Sequence, residues 1–200
     1  MVKIYGMAQS GNCYKLQLLL SFLQQKYEWQ DIDILSGETQ TPEFLKRNPA
    51  GKVPLLEIES NTFLPESNAA LFYLANESTF WPSDPLQQAN VLRWMFFEQY
   101  SHEPYIAVAR FIKRFLPKDH PRHSELPELH QKGSTALKLM NQHLADNVWF
   151  VGDTISIADI ALFAYTHVAA EGGFELSQYL NIKNWISQVQ QQPHYTPMVL

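Results

Sequence analysis

Ala50-Gly51-Lys52-Val53-Pro54-Leu55-Leu56, followed after a short gap by Leu64-Pro65-Glu66-Ser67-Asn68-Ala69-Ala70-Leu71, sets a Val-Pro pair before a strand and an acid-hydroxyl pair at a helix start. An X-Pro bond adopts cis at modest cost. A proline closing a loop just ahead of a strand can therefore turn the preceding N–H and C=O outward, free to pair with an extended ligand. Val53 is then a short strand edge for a peptide. Glu66 and Ser67 precede the apolar helical run Ala69, Ala70, Leu71, Tyr73 and Leu74. A helix N-terminus carries unpaired N–H groups and partial positive charge, which suits a ligand carboxylate, while Glu66 can meet an ammonium. A zwitterionic amino-acid end fits that pair. Either piece alone reads first as a Pro-led turn or a Ser N-cap without a ligand; the two together are far more specific.

Working back to the N-terminus, Val2-Lys3-Ile4-Tyr5 reads as a strand, Gly6 to Ser10 as a turn, and Cys13 to Leu23 as a helix with apolar Leu16, Leu18, Leu19, Leu20 and Phe22. The turn ends in Ser10-Gly11-Asn12-Cys13, the spacing of a C-x-x-C dithiol with serine in the first place. Such a site has no dithiol couple.

With Ser10-Gly11-Asn12-Cys13-Tyr14-Lys15, Asn48-Pro49-Ala50-Gly51-Lys52-Val53-Pro54, Glu66-Ser67 and Val151-Gly152-Asp153-Thr154-Ile155-Ser156-Ile157-Ala158-Asp159 in this order, the chain resembles the cytosolic glutathione S-transferase superfamily, most closely its bacterial serine-type, theta-like members. The resemblance implies an α/β thioredoxin-like N-terminal domain with a mixed four-stranded sheet and an all-α C-terminal domain.

Composition agrees. A chain of 200 residues with 46% hydrophobic content can bury a sizeable core as one domain or two small ones. One cysteine excludes an internal disulfide framework and suits a reducing cytosol, and neither a signal segment nor a membrane-spanning run is visible. The expectation is a cytoplasmic protein with no membrane partner. A formal charge of -5 argues against nucleic-acid binding, and Arg110, Lys113, Arg114, Lys118 and Arg122 read as a solvated helix face.

The boundary falls at Thr79-Phe80-Trp81-Pro82-Ser83-Asp84-Pro85-Leu86, where two prolines break helix and strand alike. The expected domains are 1–78, with strands near 2–5, 28–34, 54–58 and 61–64 and helices near 13–25, 41–47 and 67–77; a linker 79–86; and an all-helical domain 87–200. The helical patterns run 87–115, 125–146, 157–170 and 178–191. Ser156-Ile157-Ala158-Asp159 is a capping box flanked by Ile155 and Ile160, a folding element rather than an active-site one. His120 and His123, in a proline-rich loop without further ligands, make a poor metal site, and no metal is expected.

A free cysteine thiol has a pKa of about 8.5, and the thiolate is the reactive species. A hydroxyl donor at a helix N-terminus favours the ionised sulfur. By resemblance, Ser10 donates to the thiolate of bound glutathione, with Asn12 as the rival donor. Tyr5 reads better as a packed core aromatic, and Cys13 as a small hydrophobe behind the helix. The resemblance further gives Val53, after which Pro54 starts the strand, to the cysteinyl backbone, and Glu66 with Ser67 to the γ-glutamyl end. Lys52 and Gln40 go to the glycyl carboxylate, although Thr39-Gln40 departs from the more basic residues expected there. Phe44, Leu45 and Tyr73 read as core.

The stretch 94–111 is too aromatic for an ordinary exposed helix, and Pro104 is expected to kink it and turn His102 or Glu103 toward a cleft. Tyr100, Tyr105, Arg110 and Phe111 are candidates for a hydrophobic acceptor pocket facing Ser10, the other reading being helical core and a dimer seam. Glu98 or Gln99 is a candidate to reach a partner subunit. The function expected is a homodimeric glutathione transferase with glutathione as co-substrate and a hydrophobic electrophile as acceptor. The alternatives are a glutathione-dependent peroxidase, disulfide reductase or isomerase, or a non-catalytic binding module.

Overall fold

The computed structural model describes residues 1–199. They form two compact units: Met1–Glu77 together with the tail from Pro193 onward, and Ser78–Gln192.

In the first unit β1 (Val2–Gly6), α1 (Gly11–Phe22), β2 (Tyr27–Asp31), α2 (Pro42–Arg47), β3 (Leu55–Glu59), β4 (Thr62–Pro65) and α3 (Ser67–Ala75) follow one another. The sheet order is β2-β1-β3-β4. β1 runs parallel to β2, with Val2 opposite Tyr27, and antiparallel to β3, with Tyr5 opposite Leu55; β3 and β4 are antiparallel. A parallel pair requires a crossover, and α1 supplies it. This is the thioredoxin-like mixed sheet read from the sequence. β2 stops short of residue 34 because Asp33 turns the chain, its Oδ1 accepting from the N–H groups of Leu35 and Ser36.

Local chemistry sets the helix ends. Ser10 caps α1, Oγ accepting from Cys13 N–H at 3.4 Å. Thr41 caps α2, where Pro42 occupies the first turn and has no N–H to leave unpaired. α1 lies close against β1 because residue 6 is glycine: a Cβ there would sit 2.7 Å from the Trp29 ring and 2.9 Å from Cys13 Sγ. Tyr5, Phe44 and Leu55 are buried together with Ile32, Val53 and Phe63 against them. Tyr73, expected in the core, is instead exposed, because α3 turns Leu71, Leu74 and Ala75 inward and residue 73 falls on the opposite face. The tail, expected with the helical domain, returns to α1: Tyr14 OH donates to Thr196 O and Ser21 Oγ to His194 O, each at 2.7 Å.

The second unit is all-helical: α4 (Pro85–Phe97), α5 (Glu103–Phe115), α6 (Leu126–His143), α7 (Ile157–Thr166) and α8 (Leu180–Gln190). The single kinked helix expected over 87–115 is two helices joined by a π-helical turn, Glu98–His102. Pro104 follows that turn directly, in the first turn of α5. His102 faces the core rather than a cleft. It is fully buried, with Nε2 2.8 Å from Thr166 Oγ1, and because that hydroxyl gives its proton to Leu162 O, the ring nitrogen is the donor.

Every residue of α7 is buried. Asp159, in its first turn, bonds back to Ser156 as the capping box requires, its Oδ2 accepting from Ser156 N–H (2.9 Å) and Oγ (3.0 Å). Its Oδ1 takes two partners that the motif does not contain, Phe150 N–H and Trp185 Nε1–H, both at 3.0 Å. Burial pushes the Asp159 carboxyl up to about 6, against the pull of those bonds. The basic stretch is not one solvated face: Arg110 is buried, with Nε 2.8 Å from Glu171 Oε2, and Arg114 reaches the same oxygen at 3.0 Å. Among the described residues, no helix is long and apolar enough to cross a membrane.

Candidate functional site

The starts of α1 and α3 are joined by side chains. Ser67 Oγ donates to Asn12 Oδ1 at 3.3 Å, and Lys15 Nζ, from the next turn of α1, donates to both Ser67 Oγ and Asn68 Oδ1 at 3.2 Å. Asn12 and Ser67 were each singled out in the sequence, and the fold brings them together although 55 residues separate them. Lys15 had no role assigned. Its one sequence signal is a lysine among the apolar positions Cys13, Leu16, Leu18 and Leu19 on a helix buried on most of its faces.

Glu66 stands exposed at the N-cap of α3 with φ 72° and ψ 114°. A non-glycine residue at positive φ is strained, and such residues concentrate where a ligand or a reaction needs them. Its own carbonyl accepts the first helical bond, from Ala70 N–H. Ser67 beside it is buried. The strained turn thus sets an exposed acidic residue next in sequence to a buried serine.

The loop before β3 is built around Asn48, a buried side chain whose Nδ2 donates to Lys52 O at 2.8 Å and whose Oδ1 accepts from Ala50 N–H at 3.1 Å. Gly51 turns this loop at φ 60°, and Gln40 Nε2 donates to Gly51 O at 3.3 Å. Gln40 and Lys52, both exposed, therefore meet at one loop. The Val53–Pro54 peptide bond is cis, with Val53 half-buried and Pro54 buried immediately before β3. Asn48 was part of the quoted motif without an assigned task; its task is to hold the loop.

Of the groups close to Ser10 in the sequence, Cys13 and Tyr5 are otherwise engaged. Cys13 is fully buried, and burial pushes its thiol up to about 11 although bonds from Ser10 and the Met7 backbone work the other way. Tyr5 is buried, with its hydroxyl donating to Glu57 Oε2 at 2.7 Å; burial first, then Glu57, raises its pKa.

In the helical unit, Tyr100 is 83% exposed on the π-helical turn, Tyr105 is half-buried under Lys132, and Phe111 packs tilted against Phe115. Arg110, proposed from sequence to face an acceptor, is only 2% exposed and pairs with Glu171. Glu98, a candidate for reaching a second subunit, is fully buried and accepts from Gln99 Nε2 at 3.0 Å.

Two family models match the chain, the N-terminal domain of glutathione S-transferases over residues 1–76 and the C-terminal domain over residues 94–193. The chain belongs to the glutathione S-transferase family. It is 54% identical to a glutathione S-transferase of Pseudomonas fluorescens whose crystal structure superposes with a TM-score of 0.95, covering 99% of this chain and 98% of that one. It is also 27% identical to the glutathione S-transferase GstB of Escherichia coli, over all of this chain and 98% of that protein. A third relative, the disulfide-bond oxidoreductase YfcG of Escherichia coli, is 26% identical over 96% of this chain and 92% of that protein.

Proposed function

We propose that this chain is a serine-type glutathione transferase in which the strained Glu66-Ser67 turn, tied through Ser67 to Asn12, receives the γ-glutamyl end of glutathione. That linked pair of helix starts is the observation that carries the reading. Glu66 meets the ligand's ammonium, and Ser67 with the N-terminus of α3 meets its α-carboxylate. Val53 pairs with the cysteinyl backbone ahead of Pro54, and Lys52 with Gln40 serves the glycyl carboxylate. The thiol then lies by Ser10 and Asn12, where a hydroxyl or amide donor and the field of α1 favour the ionised sulfur. The sulfur attacks an electrophilic carbon, forming the C–S bond while the leaving group departs with its electron pair and the thiol proton goes to solvent. Acceptor contacts come from the helical unit, with Tyr100, Tyr105 and Phe111 as candidates. The location proposed is the cytoplasm.

Glu66→Ala is expected to weaken glutathione binding by about 1.5 to 3 kcal/mol, the worth of a charge-assisted hydrogen bond. Calorimetric titration measures it, and an unchanged affinity would show that the γ-glutamyl end lies elsewhere. Ser10→Ala is expected to leave affinity nearly intact and raise the bound thiol's pKa, read from ultraviolet thiolate absorbance against pH. Should the titration not move, the thiolate donor is Asn12.

A second reading, glutathione-dependent disulfide reduction, is favoured by the likeness to the oxidoreductase and by Asn12 at the linked helix starts. In that case the sulfur attack falls on a disulfide of the substrate, and buried Cys13 takes no part. Titration with reduced glutathione followed by electrophiles, peroxides and mixed disulfides chooses between them. Exposed Phe72 and Tyr73 on α3, and Leu92 and Phe96 on α4, support a homodimer. Light scattering at low protein concentration is expected to give twice the chain mass; a monomer would remove that part of the reading.

A further inference from the structure

A lysine with no exposed surface is uncommon, because an ammonium taken from water needs compensation. Lys15 sits beneath the start of α3 and donates to Ser67 Oγ and Asn68 Oδ1. An ammonium only donates, so the bond into Ser67 Oγ directs that hydroxyl's own proton outward, and the structure shows it going to Asn12 Oδ1. The chain of donation runs Lys15 to Ser67 to Asn12, from one helix start to the other. A positive charge buried behind a hydroxyl polarises it as a donor.

We propose that Lys15 is a positioning residue of the ligand site. It does not touch glutathione; it fixes and polarises Ser67, acting through this hydroxyl alone, so that on binding the hydroxyl turns its proton from Asn12 Oδ1 to the ligand's α-carboxylate. The inference rests on the assignment of the γ-glutamyl end to Glu66 and Ser67. It adds a residue that no contact list of the bound ligand would contain.

The test is a double-mutant cycle on binding of S-methylglutathione, which occupies the site without reacting. Wild type, Lys15→Met, Ser67→Ala and the double variant are titrated calorimetrically, with circular dichroism as the folding control. Lys15→Met is expected to weaken binding about tenfold, Ser67→Ala by a similar factor, and the double variant no more than the worse single variant, because both remove the same polarised donor. A loss of packing alone would persist in the Ser67→Ala background, so losses that multiply overturn the proposal, as does wild-type affinity in Lys15→Met. If Lys15→Met does not fold, Lys15→Gln, which keeps a shorter neutral donor, takes its place with the same expectations. If wild type itself fails to bind at millimolar ligand, the glutathione assignment falls and the role of Lys15 with it. Binding by wild type, weakened in Ser67→Ala but not in Lys15→Met, removes Lys15 alone.

Discussion

Asp159→Ala is expected to destabilise the helical unit by about 3 kcal/mol or more. The carboxylate accepts from three N–H groups, those of Phe150, Ser156 and the Trp185 indole, and from the Ser156 hydroxyl. The hydroxyl can rotate to another acceptor, whereas the N–H groups cannot, and each buried donor left unpaired costs about 1–3 kcal/mol. Truncation also opens a void beneath Trp185, itself fully buried. Asp159→Asn is expected to lose nearly as much, because its amide nitrogen turns a donor toward donors. Urea unfolding of the full chain followed by far-ultraviolet circular dichroism measures both. A loss below 1 kcal/mol in the alanine variant would mean that the four bonds barely repay the desolvation of the carboxylate.

His167 and Asp159 give the helical unit opposite responses to acid. His167 is stacked on Phe163 at 4.5 Å, with Nδ1 2.8 Å from Phe163 O, and burial, more than the nearby Arg110, pushes its pKa down from 6.5 to about 4. The neutral ring is favoured in the fold. Its stabilising contribution is therefore complete above pH 6.5 and is lost as pH falls through 4, by about 3 kcal/mol at about 1.4 kcal/mol per unit. Asp159, raised from 3.8 to about 6, favours the protonated form in the fold; its contribution is present below pH 3.8 and is lost as pH rises through 6, again by about 3 kcal/mol. The two largely cancel between pH 4 and 6.5. His167→Gln removes the His167 response, so the stability of the variant relative to wild type is expected to improve by about 3 kcal/mol as pH falls from 6.5 to 4. Unfolding curves at those two pH values check it. A constant difference would show that His167 titrates normally.

At the helix and strand starts, local sequence and fold agree closely. Ser10, Thr41 and Ser156 are polar residues ahead of apolar runs, and each begins a helix as capping chemistry requires. Val53-Pro54 at a strand entrance and Glu66-Ser67 at a helix start were legible because proline restricts the backbone and helix ends need partners. The misreadings share one cause, that a residue type does not say which way its side chain points. Arg110 and His102 look like cleft residues in a list, and the fold turns both inward onto Glu171 and Thr166. Tyr73 looks like core, and the pitch of α3 carries it to the surface.

The amino-acid sequence by itself determined the family, the two-part architecture and the positions of the loop and helix starts proposed to hold glutathione, because these rest on short-range rules of capping, proline geometry and apolar periodicity. Only the tertiary structure decided how distant polar groups pair. It joined Asn12 to Ser67 through one hydroxyl, buried Lys15 beneath them, surrounded Asp159 with four donors and returned the tail to α1. Hydrogen bonds between residues tens of positions apart depend on where packed helices and strands meet, and backbone carbonyls, which accept two of the tail contacts, are the same at every residue.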